Sequence, residues 1–320
     1  MQPVRWGILG AAKIAREWVC PGIHASGSGI VAAVASRTAE KAAAVAENYP
    51  GARVFGAYEA LLADPGIEAV YIPLPNSEHV AWTARALDAG KHVLCEKPIA
   101  LKAEEIDGLI ALRDRTGLLA AEAFMVLHHP QWQRVRELIA EGAIGEIRQV
   151  QGAFSFFNDD PGNIRNLAGL GGGALRDIGL YPCVVTRFVT GAEPEAVSAT
   201  AEWDRGIDAT ARASARFPGF VLDFYVSMRM APFQVMHFHG TRACLTVEAP
   251  FNAGSYGDTV IALREAGGTV RRERFPRADQ YRAQAEALHA SIRTGAPFPC
   301  PLEFSRANQR MIDMIYAAAA

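Results

Sequence analysis

The sequence predicts an α/β protein in two parts. The first is a doubly wound parallel sheet. The second is an α/β domain with a large, open, mainly antiparallel sheet. Three observations carry this. Short apolar runs alternate with helix-length stretches up to about residue 121, the pattern of parallel strands joined by crossover helices. The first of those runs ends in a glycine turn that opens a helix. After Gly145 the texture changes to long stretches that alternate with a period of two. The expected boundary lies near Phe124, giving domains 1–124 and 125–320.

The first run, Val4 to Leu9, passes into Gly10-Ala11-Ala12-Lys13-Ile14-Ala15, and helical pattern follows until Pro21-Gly22 is expected to break it. Strand, glycine turn and helix form a site for a dinucleotide, whose pyrophosphate would rest on the helix N-terminus. Gly10, Ala12, Lys13 and Ile14 are the candidate contacts. The fingerprint is degenerate, because Ala12 and Ala15 replace its second and third glycines.

The next strand, Ile30 to Ala35, ends in Ser36-Arg37-Thr38, with Lys41 one turn further on. A site for NAD usually places an acid there to hold the ribose 2′-hydroxyl. A hydroxyl, a guanidinium and an ammonium suit a 2′-phosphate instead. Ser36, Arg37 and Lys41 therefore point to NADP(H) in preference to NAD(H). The bland alternative is a helix cap at Thr38 with a solvated Arg37 beside it.

The alternation continues with a helix over Ala39 to Asn48, a strand at Arg53 to Phe55 and a helix at Tyr58 to Leu62. A strand at Ala69 to Ile72 follows. Pro73-Leu74-Pro75-Asn76 then forms a rigid loop into a helix from Ser77. Pro73, Asn76 and His79 are expected under the adenosine and nicotinamide ribose. Asn76 reads equally as the helix cap, and His79 as a structural residue. Lys91 to Pro98 is the centre of the reading: a buried strand ends in Glu96-Lys97-Pro98. Ligands bind beyond the carboxyl ends of such strands, so Glu96 and Lys97 are placed at the cofactor. Pro98 holds Lys97 in extended backbone. A helix over Ala103 to Thr116 and a strand near Leu118 to Ala121 complete the first part.

Beyond Glu122-Ala123-Phe124-Met125, a helix is expected over Gln131 to Glu141 and a strand over Ile147 to Phe157. A turn-rich loop, Asn158 to Asn163, leads to Ile164–Leu170 and then Gly171-Gly172-Gly173. Three glycines permit close backbone approach and open a helix near Ala174, on which Asp177 and Tyr181 share a face. Thr210, Arg212, Ser214 and Arg216 alternate with apolar residues, as does the stretch from Val221 to Met230. The mixed outer face of such a sheet is a candidate surface for a homodimer or tetramer; sedimentation as a clean monomer would count against it. Helices over Gln280 to Arg293 and Ser305 to Ala319 close the chain.

Composition excludes several classes. A net charge of −2 over 320 residues offers no electrostatic footprint for nucleic acid or an anionic membrane. No apolar run is long enough to span a bilayer, and the N-terminus enters a strand without a signal peptide. Five dispersed cysteines suggest reduced thiols in a cytoplasm. His237 and His239 share a strand face, but no carboxylate or thiol supports them at ligand spacing, so no metal is expected.

Four pieces together resemble one family. They are Trp6-Gly7-Ile8-Leu9-Gly10, Pro75-Asn76-Ser77-Glu78-His79, Cys95-Glu96-Lys97-Pro98, and Gly171-Gly172-Gly173-Ala174-Leu175-Arg176-Asp177-Ile178-Gly179-Leu180-Tyr181. The chain resembles the glucose–fructose oxidoreductase, inositol dehydrogenase and MocA family of NAD(P)-dependent oxidoreductases. It looks most like the branch of dimeric dihydrodiol dehydrogenases and NADP-dependent D-xylose dehydrogenases. The resemblance implies Lys97, Asp177 and Tyr181 around a sugar-like substrate. Val126 and Leu127 stand where the family often carries arginine or tyrosine.

Oxidising an alcohol requires a base for its proton. Tyrosine's reference pKa lies near 10, so the phenolate needs a cation nearby; Lys97 is a candidate for it, or for the proton carrier itself. Asp177 would hold the lysine or a sugar hydroxyl, and Arg165 would reach the substrate from the loop before the glycines. The bland alternatives are a surface lysine, a carboxylate favouring a helix N-terminus, and a tyrosine packed in an interface. A non-catalytic NADP(H)-binding protein on the same fold is the competing function.

Overall fold

A computed structural model describes residues 2–319. The chain forms two compact units. One comprises the chain through Met125 together with Asp279–Arg306; the other comprises Val126–Ala278 together with the chain from Ala307.

The first unit alternates β1 (Val4–Leu9), α1 (Cys20–Ala25), β2 (Gly29–Ala35), α2 (Ala39–Ala46), β3 (Arg53–Phe55) and α3 (Tyr58–Leu62). It continues with β4 (Ala69–Ile72), α4 (His79–Asp88), β5 (His92–Cys95), α5 (Ala103–Thr116) and β6 (Ala120–Glu122). All six strands are parallel, in the order β3-β2-β1-β4-β5-β6. That order reverses between β1 and β4, the switch point where such sheets bind ligands. The central strands β1, β2, β4 and β5 are largely buried and mainly apolar, whereas the edge strand β3 is exposed. Leu9, Ile72, Val93, Ile106 and Leu302 are fully buried in one core.

The helix after the first glycine turn does not stop at Pro21-Gly22 as expected. Ala15–Val19 is π-helical and runs directly into Cys20–Ala25, with Pro21 in the opening turn of α1. A proline has no N–H to give, and the wider π turn relieves the ring's clash with the preceding carbonyls.

The second unit holds α6 (Pro130–Ala140), β7 (Ile147–Phe157), α7 (Leu180–Thr190), β8 (Ala196–Asp204), β9 (Ile207–Phe217) and β10 (Phe220–Ser227). β11 (Arg229–Gly240), β12 (Ala243–Val247), β13 (Val260–Glu265) and β14 (Val270–Arg274) follow. They make an eight-stranded sheet, β14-β13-β12-β11-β7-β10-β9-β8. Every pairing is antiparallel except β10 with β7. Its outer face carries a depression of about 710 Å³, lined by Gln151, Arg212, Asp223, Tyr225, Phe233 and His237 among others; none of the candidate catalytic or cofactor residues lies there.

Two helices close the chain, α8 (Gln280–Thr294) and α9 (Leu302–Ala319). The sequence placed all of 125–320 in the second domain, whereas Asp279–Arg306 belongs to the first unit. Side chains explain the difference. The Trp6 indole donates to His289 Nε2 at 2.8 Å, Trp18 stacks on Tyr281 at 5.5 Å, and Arg293 pairs with Glu68 at 2.7 Å. A Cβ on Gly22 would lie 2.8 Å from the Tyr281 backbone, so that glycine lets α8 lie against α1. Among the described residues, no helix is long and apolar enough to cross a membrane.

Candidate active site

In the first unit the candidate residues collect at the carboxyl ends of the parallel strands. Gly10 leaves β1 at φ +121°, a conformation that L side chains rarely adopt. A Cβ there would press to 3.2 Å from Leu74 and 3.6 Å from the Pro73 carbonyl, so the turn runs close against the loop after β4. Ala12 and Ile14 are half-buried beyond it. Lys13 is exposed and pairs with Glu17 at 3.7 Å. The donor set suits a dinucleotide: a turn of one glycine and two alanines leading into a helix N-terminus.

At the end of β2, Ser36 is buried while Arg37 and Lys41 are exposed. Thr38 precedes α2 in extended backbone but makes no side-chain cap bond, so the capping alternative fails in that form. No carboxylate occupies the end of β2. A cluster that the sequence did not single out lies by Arg37. Burial raises the Tyr58 phenol's pKa, Arg37 lowers it and Glu78 raises it. Tyr58 meets Trp82 edge-on at 4.9 Å, and the Trp82 indole donates to Glu78 at 3.3 Å. Arg37, Tyr58 and the Glu78–Trp82 pair come from three separate segments, and no local spacing links the three.

The loop after β4 differs from expectation in detail. Asn76 is not the cap of a helix: Asn76–Glu78 is a single 3₁₀ turn after Pro75, and α4 starts at His79. Pro73 is buried and Asn76 half-buried. His79 is fully buried, with Nδ1 2.7 Å from the Pro98 carbonyl and Nε2 2.8 Å from the Leu74 carbonyl. Burial pulls its pKa down against the pull of those two acceptors. The two ring nitrogens of His79 thus face backbone carbonyls of the loop after β4 and of the segment after β5, and the neutral ring donates to one of them.

Glu96 and Lys97 leave β5 half-buried. The Tyr71 hydroxyl donates to Glu96 at 2.5 Å, and the Glu96 N–H donates to the Ile72 carbonyl at 3.1 Å. The Lys97–Pro98 peptide bond is cis.

In the second unit Asp177 lies in a π-helical turn, Leu175–Gly179, that runs into α7. Arg165 Nε donates to Asp177 at 2.7 Å, so the arginine expected at the substrate is paired with the candidate carboxylate. The glycines make this possible. Gly173 N–H donates to the Arg165 carbonyl and Asp177 N–H to the Gly173 carbonyl, both at 3.0 Å. A buried acid that sequence reasoning missed sets the helix start: Asp208 accepts the Leu175 N–H at 2.6 Å and the Tyr316 hydroxyl at 2.7 Å. Burial raises its pKa against those donors. Tyr181 is 4 % exposed, stacked on Phe251 at 5.4 Å and tilted against Phe154 at 5.7 Å. Val126 and Leu127 are fully buried, so apolar residues there fill core. His129 caps α6 by accepting the Gln131 N–H at 3.2 Å.

Comparisons with known proteins agree with this architecture. Residues 4–124 match the model of an oxidoreductase family with an NAD-binding Rossmann fold, and residues 132–246 match the C-terminal domain of the same GFO/IDH/MocA family. An uncharacterized oxidoreductase of Rhizobium meliloti is 44% identical over 100% of this chain and 98% of its own length. A D-xylose 1-dehydrogenase (NADP(+)) of Haloferax volcanii is 33% identical, over 98% of this chain and 97% of that protein. The crystal structure of a 3-ketoreductase from Actinomadura kijaniata, in complex with NADP and TDP-benzene, superposes with a TM-score of 0.92 at 31% identity. It covers 99% of this chain and 98% of that one. Motifs, sheet order and full-length similarity agree: the chain belongs to the GFO/IDH/MocA family of oxidoreductases.

Proposed function

We propose that the protein is an NADP(H)-dependent oxidoreductase that passes a hydride between nicotinamide and a sugar-like substrate. The substrate class is a sugar, a related polyol or a dihydrodiol. Oxidation of an aldose at its anomeric carbon, in the manner of a D-xylose 1-dehydrogenase, is the example reaction. The observation that carries this proposal is Lys97 at the carboxyl end of β5, one strand away from the β1–β4 switch point of the parallel sheet. The nicotinamide supplies the hydride chemistry when bound. Gly10, Ala12, Lys13 and Ile14 would hold the pyrophosphate, and Ser36, Arg37 and Lys41 the 2′-phosphate. Pro73, Asn76, Glu96 and Lys97 would line the nicotinamide end, with His79 holding that loop in shape. Lys97 and Tyr181 move the hydroxyl proton, and Asp177, steadied by Arg165, orients a substrate hydroxyl.

Relatives support the chemistry. Besides the xylose dehydrogenase they include several dTDP-3,4-didehydro-2,6-dideoxy-α-D-glucose 3-reductases and trans-1,2-dihydrobenzene-1,2-diol dehydrogenases. Solved forms of the Actinomadura 3-ketoreductase include single variants at a lysine and at a tyrosine. Those two positions are separated along that chain by the same interval as Lys97 and Tyr181 here. A cytoplasmic location and self-association through the outer face of the second sheet belong to the same reading.

The test is absorbance at the reduced-nicotinamide band, with NADP and with NAD, against aldoses, keto-sugars and dihydrodiols. Lys97→Met should lose about 10²–10⁴-fold in turnover while still binding NADPH. Near-normal turnover in that variant removes the mechanism. No change with any substrate, despite tight NADPH binding, would make the chain a non-catalytic binder.

A further inference from the structure

Glu122 ends β6 beside the segment that carries Lys97. It is in register with Cys95, and the Ala123 N–H donates to the Cys95 carbonyl at 2.8 Å. That pairing brings the Glu122 carboxyl alongside the chain as it leaves β5. One carboxylate oxygen accepts the Ile99 N–H at 3.0 Å, and the nearby Ser305 hydroxyl favours the ionised form of the same carboxyl. The other half of that peptide group, the Pro98 carbonyl, lies 2.7 Å from His79 Nδ1. A single peptide group, one residue past Lys97, is therefore gripped on its oxygen and on its N–H by two buried ionisable side chains. On the near side, Glu96 is fixed by its N–H bond to Ile72 and by the Tyr71 hydroxyl. Lys97 stands between two anchored points.

Glu122 is 3 % exposed, and a buried acid is a costly way to fill space. We propose that Glu122 is a positioning residue for Lys97: its carboxyl anchors the Pro98–Ile99 peptide, and its charge bears on the Lys97 amine. The inference rests on reading Lys97 as the proton-handling group. Burial pushes Glu122 up to about 7; Glu96 pushes the same way and Lys97 pulls it down. The same Coulomb interaction places the Glu122 charge within electrostatic reach of the Lys97 side chain, so the ionisation of Glu122 is felt there. The groups around Glu122 are few. Cys95, Glu96 and Lys97 lie on or after β5, Tyr71 acts through Glu96, His79 acts through Pro98, and Ser305 on α9 is neutral. Burial keeps the Cys95 thiol and the Tyr71 phenol protonated far above neutrality.

The test needs no substrate. The chain has five lysines, and reductive ¹³C-methylation turns each into an NMR probe that keeps its charge. Lys97→Arg identifies the signal from position 97. In the wild-type protein that signal should show an inflection near pH 7, in addition to the amine's own titration. Glu122→Gln, which keeps an acceptor for the Ile99 N–H, should remove the inflection and still bind NADPH. Ser305→Ala, a milder change, should move it to higher pH, because it removes a hydroxyl that favours the ionised carboxyl. A Lys97 signal with the same pH curve in all three proteins overturns the proposal. Should Lys97→Met keep its turnover, the catalytic reading fails while the NMR curve still decides the role of Glu122.

Discussion

At the scale of single residues, the end of β2 is the proposed determinant of cofactor choice. Ser36, Arg37 and Lys41 offer a hydroxyl and two cations, and no carboxylate competes with a 2′-phosphate there. Arg37 is exposed at its end of the strand, so its free-energy contribution depends on what it grips. A hydrogen bond to a charged group contributes about 1.5–3 kcal/mol. Arg37→Ala should therefore weaken NADPH binding by roughly 10- to 100-fold and leave NADH binding within about threefold. Fluorescence titration of both reduced cofactors reads this directly. Equal losses for the two would mean that Arg37 touches something they share, and the NADP preference would need another source. Lys97 is a different case, because its worth lies in position. Glu96 is tied to β4, and the Pro98–Ile99 peptide is tied to α4 and β6. The side chain itself was legible as Glu-Lys-Pro after an apolar run. Its supports were not, since Glu122 and His79 are brought to it by strand order rather than by neighbouring sequence.

At the scale of elements, the glycine-rich turn before the π-helical segment shows how tightly local chain is specified. Gly173 has φ +125°, and a Cβ there would collide with Asp208 Oδ1, the oxygen that also accepts from Tyr316. Gly173→Ala is thus strained by conformation and by contact together, and should destabilise the second unit by roughly 2–4 kcal/mol. Gly169→Ala is the control, because nothing lies within 4 Å of a Cβ there. Urea unfolding of the two variants separates the cases; equal midpoints would show that the Asp208 contact relaxes freely. Most elements were legible beforehand. The strands at Arg53–Phe55 and Ala69–Ile72 and the helix Ala103–Thr116 stand where periodicity and flanking turn residues put them. The misses share one physical cause, tertiary context overriding local signal. Pro21 reads as a helix stop but follows a π turn that accommodates it. Asn76 reads as a cap, yet the chain takes a separate 3₁₀ turn before α4. Helix α8 reads as part of the second domain, yet Trp6, Trp18 and Glu68 hold it to the first. Asp208, like Glu122, has no motif around it; only the fold shows that its carboxylate sets the start of a helix.

At the scale of the whole molecule, acid and alkali act on different buried groups. Burial drops His128 and His289 to about 4. An unfolded histidine takes up its proton near 6.5, so between pH 6.5 and 4 the unfolded state binds more protons than the folded one. Stability therefore falls as pH drops through that window. Glu122, pushed up to about 7, has the opposite sign: between pH 4.5 and 7 the folded state binds the extra proton, so its contribution falls as pH rises. Among these three groups, the two histidines outweigh the carboxyl on the acid side. His289 is the better one to test, because its surroundings are fully specified and only 3 % of the residue is exposed. Its Nε2 accepts from the Trp6 indole at 2.8 Å, which leaves Nδ1 to donate to the Ser28 hydroxyl at 2.8 Å. That network holds only while the ring is neutral, since a protonated Nε2 would confront the indole N–H. His289→Gln removes the titration and keeps a polar group of similar reach. The variant should be less stable than the parent at pH 7, but should lose about 2 kcal/mol less between pH 7 and pH 5. Urea midpoints at the two pH values, followed by tryptophan fluorescence, give the comparison. An identical acid loss in parent and variant would mean that the first unit's sensitivity to acid lies elsewhere than in the ring that joins α8 to β1.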